Sequence, residues 1–299
     1  MHSYFDWNIL LNYKPDIVQV NGDNQLFAPN LVAFLKKKDI PYYFYIGIIR
    51  SNNGGKWKRE LMRLLFYRSI KFYGNSKCFV KTPQIAGELN KLKISDVMVA
   101  PVGLDTDVIK KVSGDKAELR HRLKLPEERK LLLFIGRLEE NKNPLRSVEL
   151  LSELPDEYSL VLIGKGSLEP RMNEKIIAHD LGERVIRVER LPNRDVQDYY
   201  YACDYFVNFS LTEIFGMCIL EAMYQGCTVL ALHAPGPDYI IEDGVSGFLA
   251  GNIEEMKNII LSGKRILPAD AGRRVEENFL WEHTARIMDE GFIRKRLGV

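Results

Sequence analysis

The chain has 299 residues, 46% hydrophobic and 27% charged, proportions of an ordinary globular protein that exclude disordered, collagen-like and coiled-coil classes. No uncharged apolar run approaches the roughly 20 residues that span a bilayer and no secretory signal opens the chain; Cys78, Cys203, Cys218 and Cys227 form no Cys-x-x-Cys pair, so a reducing, cytoplasmic setting without structural zinc is expected. The net charge of +2 conceals an asymmetry, with 17 Lys/Arg against 9 Asp/Glu in residues 1–112 and 25 against 31 in residues 113–299.

Short β-branched runs alternate with longer helical patterns throughout, which predicts parallel sheets with crossover helices. In chain order, a helix over 1–13 precedes a strand at 16–20. A helix at 26–38, a strand at 42–48, a helix at 57–73, a strand at 77–81, a helix at 83–92 and a strand at 97–100 follow. The charged stretch 113–129 reads as a connector and first helix of a second domain. Strands of that domain fall at 131–135, 159–163, 185–188, 205–208 and 228–232. The domains expected are therefore 1–112 and 113–280, with a last helix from 281 to 299 crossing back to the first.

The stretch 210–226, SLTEIFGMCILEAMYQG, carries most of the chemistry. It lies between two strands, so it is a loop and a helix at the carboxyl edge of a parallel sheet. A helix starting near Phe215 to Met217 aims its free N–H groups and positive dipole end into the crevice there, a seat for a diphosphate. Glu213 precedes that helix, where a carboxylate can accept hydrogen bonds from sugar hydroxyls. Glu221 lies just over one turn into it, within reach of ribose hydroxyls.

Glu-x7-Glu followed by Ala-Met-x-x-Gly closely resembles the donor-site motif of the retaining GT-B glycosyltransferases of glycosyltransferase family 4. Further segments resemble the family in order and spacing: LLFIGRLEENK at 132–142, LVLIGKG at 160–166, APGPDYIIEDGVSGFL at 234–249, and, upstream, 14–22 and VAPVGLDTDV at 99–108. The resemblance implies a GT-B fold, α/β, of two Rossmann-like doubly wound domains with a nucleotide-sugar site in the cleft. It also implies that Arg137 and Lys142 contact the donor diphosphate, Glu213 the donor sugar and Glu221 the ribose. Arg137, Lys142 and Glu213 are then the catalytic candidates, and Gly136, Gly164, Phe215, Gly216 and Met217 complete the donor site. No metal or other cofactor is expected, because fixed cations and backbone dipoles can stabilise the leaving diphosphate. Asp105-Thr-Asp107 formally reads as a metal-holding Asp-x-Asp, but three residues are a weak match, and the five histidines are scattered.

Relative to the family, the unit carrying the first strand and its glycine-rich loop is missing ahead of residue 16. Gly47 stands about where many members carry a His. The first domain is therefore expected to be incomplete, with an exposed sheet edge. A second copy of the chain or a partner chain is among the candidates to cover that edge. Between 36 and 81, 12 basic residues face only Asp39 and Glu60. Within 56–74, Lys56, Lys58, Arg59 and Arg63 accompany an aromatic and aliphatic stripe that includes Trp57, a pattern suited either to packing on the sheet or to an anionic membrane surface. The resulting expectation is a retaining, metal-independent hexosyltransferase acting on a glycan or lipid-linked acceptor, cytoplasmic or peripheral on the inner membrane face, with no nucleic-acid partner. The alternative is a non-catalytic nucleotide-sugar-binding subunit or one half of a split enzyme.

Overall fold

The computed structural model describes residues 6–22, 28–48, 57, 60, 73, 74 and 76–293. The chain divides into two units, Met1–Pro101 with Glu282–Val299, and Val102–Trp281.

In the first unit, β1 (Val18–Asn21), β2 (Tyr42–Ile46), β3 (Cys78–Val80) and β4 (Val97–Val99) form a parallel sheet in the order β1-β2-β3-β4. Tyr43, Phe44 and Ile46 of β2 and every residue of β3 are buried, as expected for a sheet covered on both faces. The helix Ala28–Lys37 buries Leu31, Val32 and Leu35, and Pro83–Lys91 buries Ile85 and Leu89, the three- and four-residue spacings of one helical face. Strand β1 is the sheet edge, with Val20 buried and Gln19 and Asn21 exposed. Ahead of it, the expected helix over 1–13 is, among the described residues, a single turn, Ile9–Asn12. The Asp6 carboxylate accepts the Asn8 N–H at 3.0 Å on one side, and Pro15 stops the helix on the other. The helix expected over 57–73 lies outside the described residues apart from Trp57, Glu60 and Tyr73.

The end of the chain completes this unit. In the helix Trp281–Met288, Thr284 donates its hydroxyl to the Pro101 carbonyl at 2.6 Å. Met288 joins Tyr43, Phe79 and Ala100 in one cluster, in which the Tyr43 and Phe79 rings meet edge to face at 5.3 Å.

The second unit is built on β5 (Lys130–Ile135), β6 (Tyr158–Ile163), β7 (Val185–Val188), β8 (Tyr205–Asn208), β9 (Thr228–Leu232) and β10 (Phe248–Ala250), all parallel, in the order β10-β9-β8-β5-β6-β7. Counted from β5, this is the doubly wound order 3-2-1-4-5-6, whose reversal point lies between β5 and β8. Alternate residues enter different cores, as a two-residue repeat requires. Leu131, Leu133, Val161, Ile163, Phe206, Val229 and Ala231 pack on one face, and Leu132, Phe134, Leu160, Leu162, Tyr205, Val207 and Leu230 on the other. Strand β10 was not anticipated, because three residues are too few to display that alternation.

Charged groups tie the helices to this sheet. Asp115 caps the helix Lys116–Arg122 by accepting the Ala117 and Glu118 N–H groups at 2.7 and 3.1 Å. From that helix, the buried Arg120 reaches Asp204 at 2.9 Å and the carbonyls of Ala202, Glu127 and Arg129. Residues 102–112 belong to this unit, with Leu104 and Ile109 in its core. The two chain segments at its limits run side by side: Leu104 donates to the Phe279 carbonyl at 2.7 Å, and Trp281 to that of Leu104 at 3.0 Å. At Gly103 a Cβ would lie 2.3 Å from the Trp281 Cα, so only glycine permits this approach.

Candidate donor-binding site

At the reversal point the turn after β5 and the loop after β8 lie next to each other, and both are held by specific bonds. Gly136 donates to the Ile163 carbonyl at 3.1 Å and Leu138 to that of Lys165 at 3.0 Å, lacing the turns after β5 and β6 together. Gly164 has φ +144°, and a Cβ on it would lie 1.9 Å from the Gly136 oxygen. Its role is to let the Gly136-Arg137 turn close.

Lys142 ends a short 3-10 turn, Glu140–Lys142, and Asn143 follows it with φ +49°. The Asn143 amide donates to the Phe209 carbonyl at 3.1 Å, and the Ser210 hydroxyl to that of Asn141 at 2.8 Å. These bonds fasten the loop after β8 to the turn after β5. Within that frame the Lys142 Nζ meets Glu213 Oε2 at 2.5 Å, with side-chain exposures of 25% and 13%. The Glu213 carbonyl accepts the Gly236 N–H at 2.8 Å. The Phe215 ring packs against Tyr239 and Phe279, in the core of the unit. Gly216, at φ +102°, precedes the helix Met217–Tyr224, a conformation that costs glycine little.

On that helix Glu221 is 8% exposed, and Asn193, at the start of the helix Asn193–Ala202, donates its Nδ2 to Glu221 Oε1 at 3.3 Å. Burial pushes the Glu221 carboxyl up, while the neutral Asn193, Tyr200 and Gln197 side chains pull it back down. Burial also drives the Tyr200 hydroxyl well above its ordinary value, with the Glu221 charge adding to it. The Cys218 thiol is pushed up to about 12 by burial first and by Glu213 second.

These groups surround a cavity of about 690 Å³, within the size range of small-molecule and cofactor sites. Ile135, Gly136 and Lys142 form one wall, Cys218 and Glu221 another, and Arg190, Leu191, Pro192, Asn193, Val196 and Tyr200 a third. A cation, a buried carboxylate and apolar walls suit a ligand that is part anion, part polyol and part flat apolar ring.

Of the site residues expected from sequence, Gly136, Lys142 and Glu221 line this cavity, and Glu213 is joined to it through Lys142. Arg137 is exposed on the turn, Gly164 supports that turn from behind, and Met217 opens the helix. Trp57 is exposed, whereas Lys56, Lys58, Arg59 and Arg63 lie outside the described residues. Asp105 accepts the Asp107 and Val108 N–H groups at 2.9 and 3.3 Å, so this carboxylate caps a turn. The third wall was missed by sequence reasoning. Its signal was the carboxyl end of strand 185–188, which a doubly wound sheet brings to the same edge as the other strand ends.

The two parallel sheets define a GT-B fold. Sucrose-phosphate synthase from Thermosynechococcus elongatus superposes with a TM-score of 0.81 at 20% identity, covering 97% of this chain and 76% of its own. HepE from Anabaena, solved with UDP and glucose, gives 0.77 at 19%, covering 97% and 80%. At such identities the likeness is one of fold. The chain belongs to the family described as Glycosyl transferases group 1, whose pattern matches residues 115–266, half of its length. A D-inositol 3-phosphate glycosyltransferase from Xylanimonas cellulosilytica is 30% identical over an alignment of 207 positions that covers 64% of this chain and 50% of that relative. The chain thus spans about half the length of that relative.

Proposed function

We propose that this chain is a glycosyltransferase that moves a hexose-type sugar, with retention and without a metal ion, from a nucleoside diphosphate sugar to a glycan or lipid-linked acceptor. The observation that carries the reading is the cavity at the β5/β8 reversal, with Lys142 and Glu213 paired on one side and the buried Glu221 on another. A diphosphate arriving at the Met217 helix would meet the Lys142 ammonium, and Arg137 on the adjacent turn offers a planar fork to the same oxygens. Charge growing on the leaving diphosphate is then met by fixed cations and backbone dipoles. Glu213, released from Lys142 as the phosphate takes its place, orients the sugar hydroxyls, and Glu221 accepts from the ribose. UDP is the first nucleotide to test, given the UDP held by HepE. Attachment to an anionic membrane through the basic segment around Trp57 belongs to the same reading.

Calorimetric titration with UDP, GDP, ADP and UDP-sugars, followed by donor hydrolysis without added metal, tests it. Binding of one base with slow hydrolysis is expected, and absence of binding to any nucleotide would overturn the donor-site assignment. A second reading, a binding subunit or half of a split enzyme, is favoured by the first sheet, which has four strands among the described residues and β1 at its edge. Binding without hydrolysis in the same titration supports it.

A further inference from the structure

A buried chain of side-chain amides leads from Glu221 away from the cavity. Gln225, one helical turn beyond Glu221, accepts the Val112 N–H on its Oε1 and donates its Nε2 to the Lys110 carbonyl, both at 2.9 Å. A backbone N–H only donates and a carbonyl only accepts, so the amide cannot be turned over without breaking both bonds. The second Nε2 hydrogen goes to Gln197 Oε1, also at 2.9 Å. Gln197 must therefore direct its Nε2 toward Asn193, where it meets the carbonyl at 3.2 Å and Oδ1 at 3.3 Å. With Oδ1 engaged as an acceptor, Asn193 turns its Nδ2 to Glu221 Oε1. One backbone N–H and one carbonyl thus set the sense of every amide in the series.

We infer that Gln225 and Gln197 are positioning residues for ribose recognition, acting through Asn193 to hold a neutral N–H on Glu221 Oε1 and so orient the carboxylate that accepts from the ligand's hydroxyls. The inference rests on the assignment of Glu221 to the ribose proposed above. Both glutamines are almost fully buried, and neither lines the cavity. A bond from a neutral donor turns and steadies the carboxylate without neutralising it, so hydrogen bonding to ligand hydroxyls stays charge-assisted. If the amides merely packed one helix on the other, breaking the series would weaken every nucleotide alike.

Gln225→Glu breaks the series at its fixed end. A carboxylate still accepts from Val112 but cannot donate to the Lys110 carbonyl or to Gln197. The bonds that set the sense of Gln197, and through it of Asn193, are then lost. UDP, GDP and ADP and their 2′-deoxy counterparts are titrated calorimetrically into the wild-type chain and the variants. For the base that binds, Gln225→Glu is expected to raise the ribonucleotide Kd about tenfold and the 2′-deoxynucleotide Kd less than about threefold, the size of a hydrogen bond to a charged group. Gln197→Met, which interrupts the series without adding charge, is expected to move the ratio the same way, and it carries the test if Gln225→Glu does not fold. Equal weakening of both nucleotides, or an unchanged ratio, overturns the positioning role. The ribose reading survives that result if Glu221→Ala abolishes a wild-type preference for ribose. A wild-type chain that binds no nucleotide, or binds both sugars equally, overturns the ribose reading and this inference with it.

Discussion

Glu213 and Glu221 are eight residues apart, yet their surroundings give them different chemistry. Glu213 faces an ammonium, whereas Glu221 is buried among neutral amides and a phenol. Because the folded chain raises the Glu221 carboxyl, it binds a proton there more readily than the unfolded chain does. Stability therefore falls as pH rises from the ordinary carboxylate range through the raised value, and the cost is complete above it. Glu221→Gln carries no such cost. In thermal melts without ligand, the variant is expected to exceed wild type at neutral pH, with the difference vanishing as the medium is acidified. Its affinity for the nucleotide should fall about tenfold. A lower Tm than wild type at neutral pH would show that the carboxylate is not paying a burial cost. At this scale the sequence was most legible in its motifs: the family resemblance of 132–142 and the Glu-x7-Glu spacing brought Lys142, Glu213 and Glu221 to one place, as the structure does. Asn193 and Tyr200 were not legible, because nothing local in 193–202 distinguishes a helix facing a cavity from one facing solvent.

Among the elements, β8 and β9 end where the sequence patterns end, since buried parallel strands are bounded by turn residues that stop the pattern abruptly. Within the described part of 1–13 the helix is a single turn, because Pro15 ends it, which apolar residues at helical spacing do not reveal. The helix Lys116–Arg122 depends on a contact that no local pattern shows. Asp204, just before β8, accepts the Leu131 N–H at 2.7 Å and pairs with Arg120 and Arg265. Burial alone would raise this carboxyl, but the Leu131 bond and the Arg265, Arg120 and Lys116 charges outweigh it and hold it below the ordinary range. For a lowered carboxyl the stabilisation is present above the unfolded value and lost as pH falls through the folded one. Asp204→Asn leaves Arg120 buried without its counter-charge, and urea denaturation at neutral pH should show a loss of about 3 kcal/mol. That loss should shrink in acid; an equal loss at every pH would place the effect in packing instead.

At the scale of the molecule, the first unit is made of two pieces of sequence and the second of one uninterrupted piece. A fragment of residues 102–281 holds both cores of the six-stranded sheet and every residue lining the cavity. It is expected to unfold in a single cooperative transition and to bind the same nucleotide as the whole chain. A fragment of residues 1–101 lacks Thr284 and Met288, which close its sheet, and is expected to show no cooperative melt. A cooperative melt from that fragment would mean that the returning helix is dispensable.

The paired segments at Leu104 and Trp281 also have a temporal consequence. A growing chain emerges N-terminus first, and its domains generally fold as units as they appear. Here strands β1 to β4 must wait for residues that are made after the whole of the second unit. When Trp281 emerges and takes its place beside Gly103, the second unit already has all of its strands, while the first still lacks Met288. Completion of the two units therefore runs opposite to their synthesis, and the first sheet, its β1 edge unpaired among the described residues, stays unfinished on the ribosome while the second unit is made.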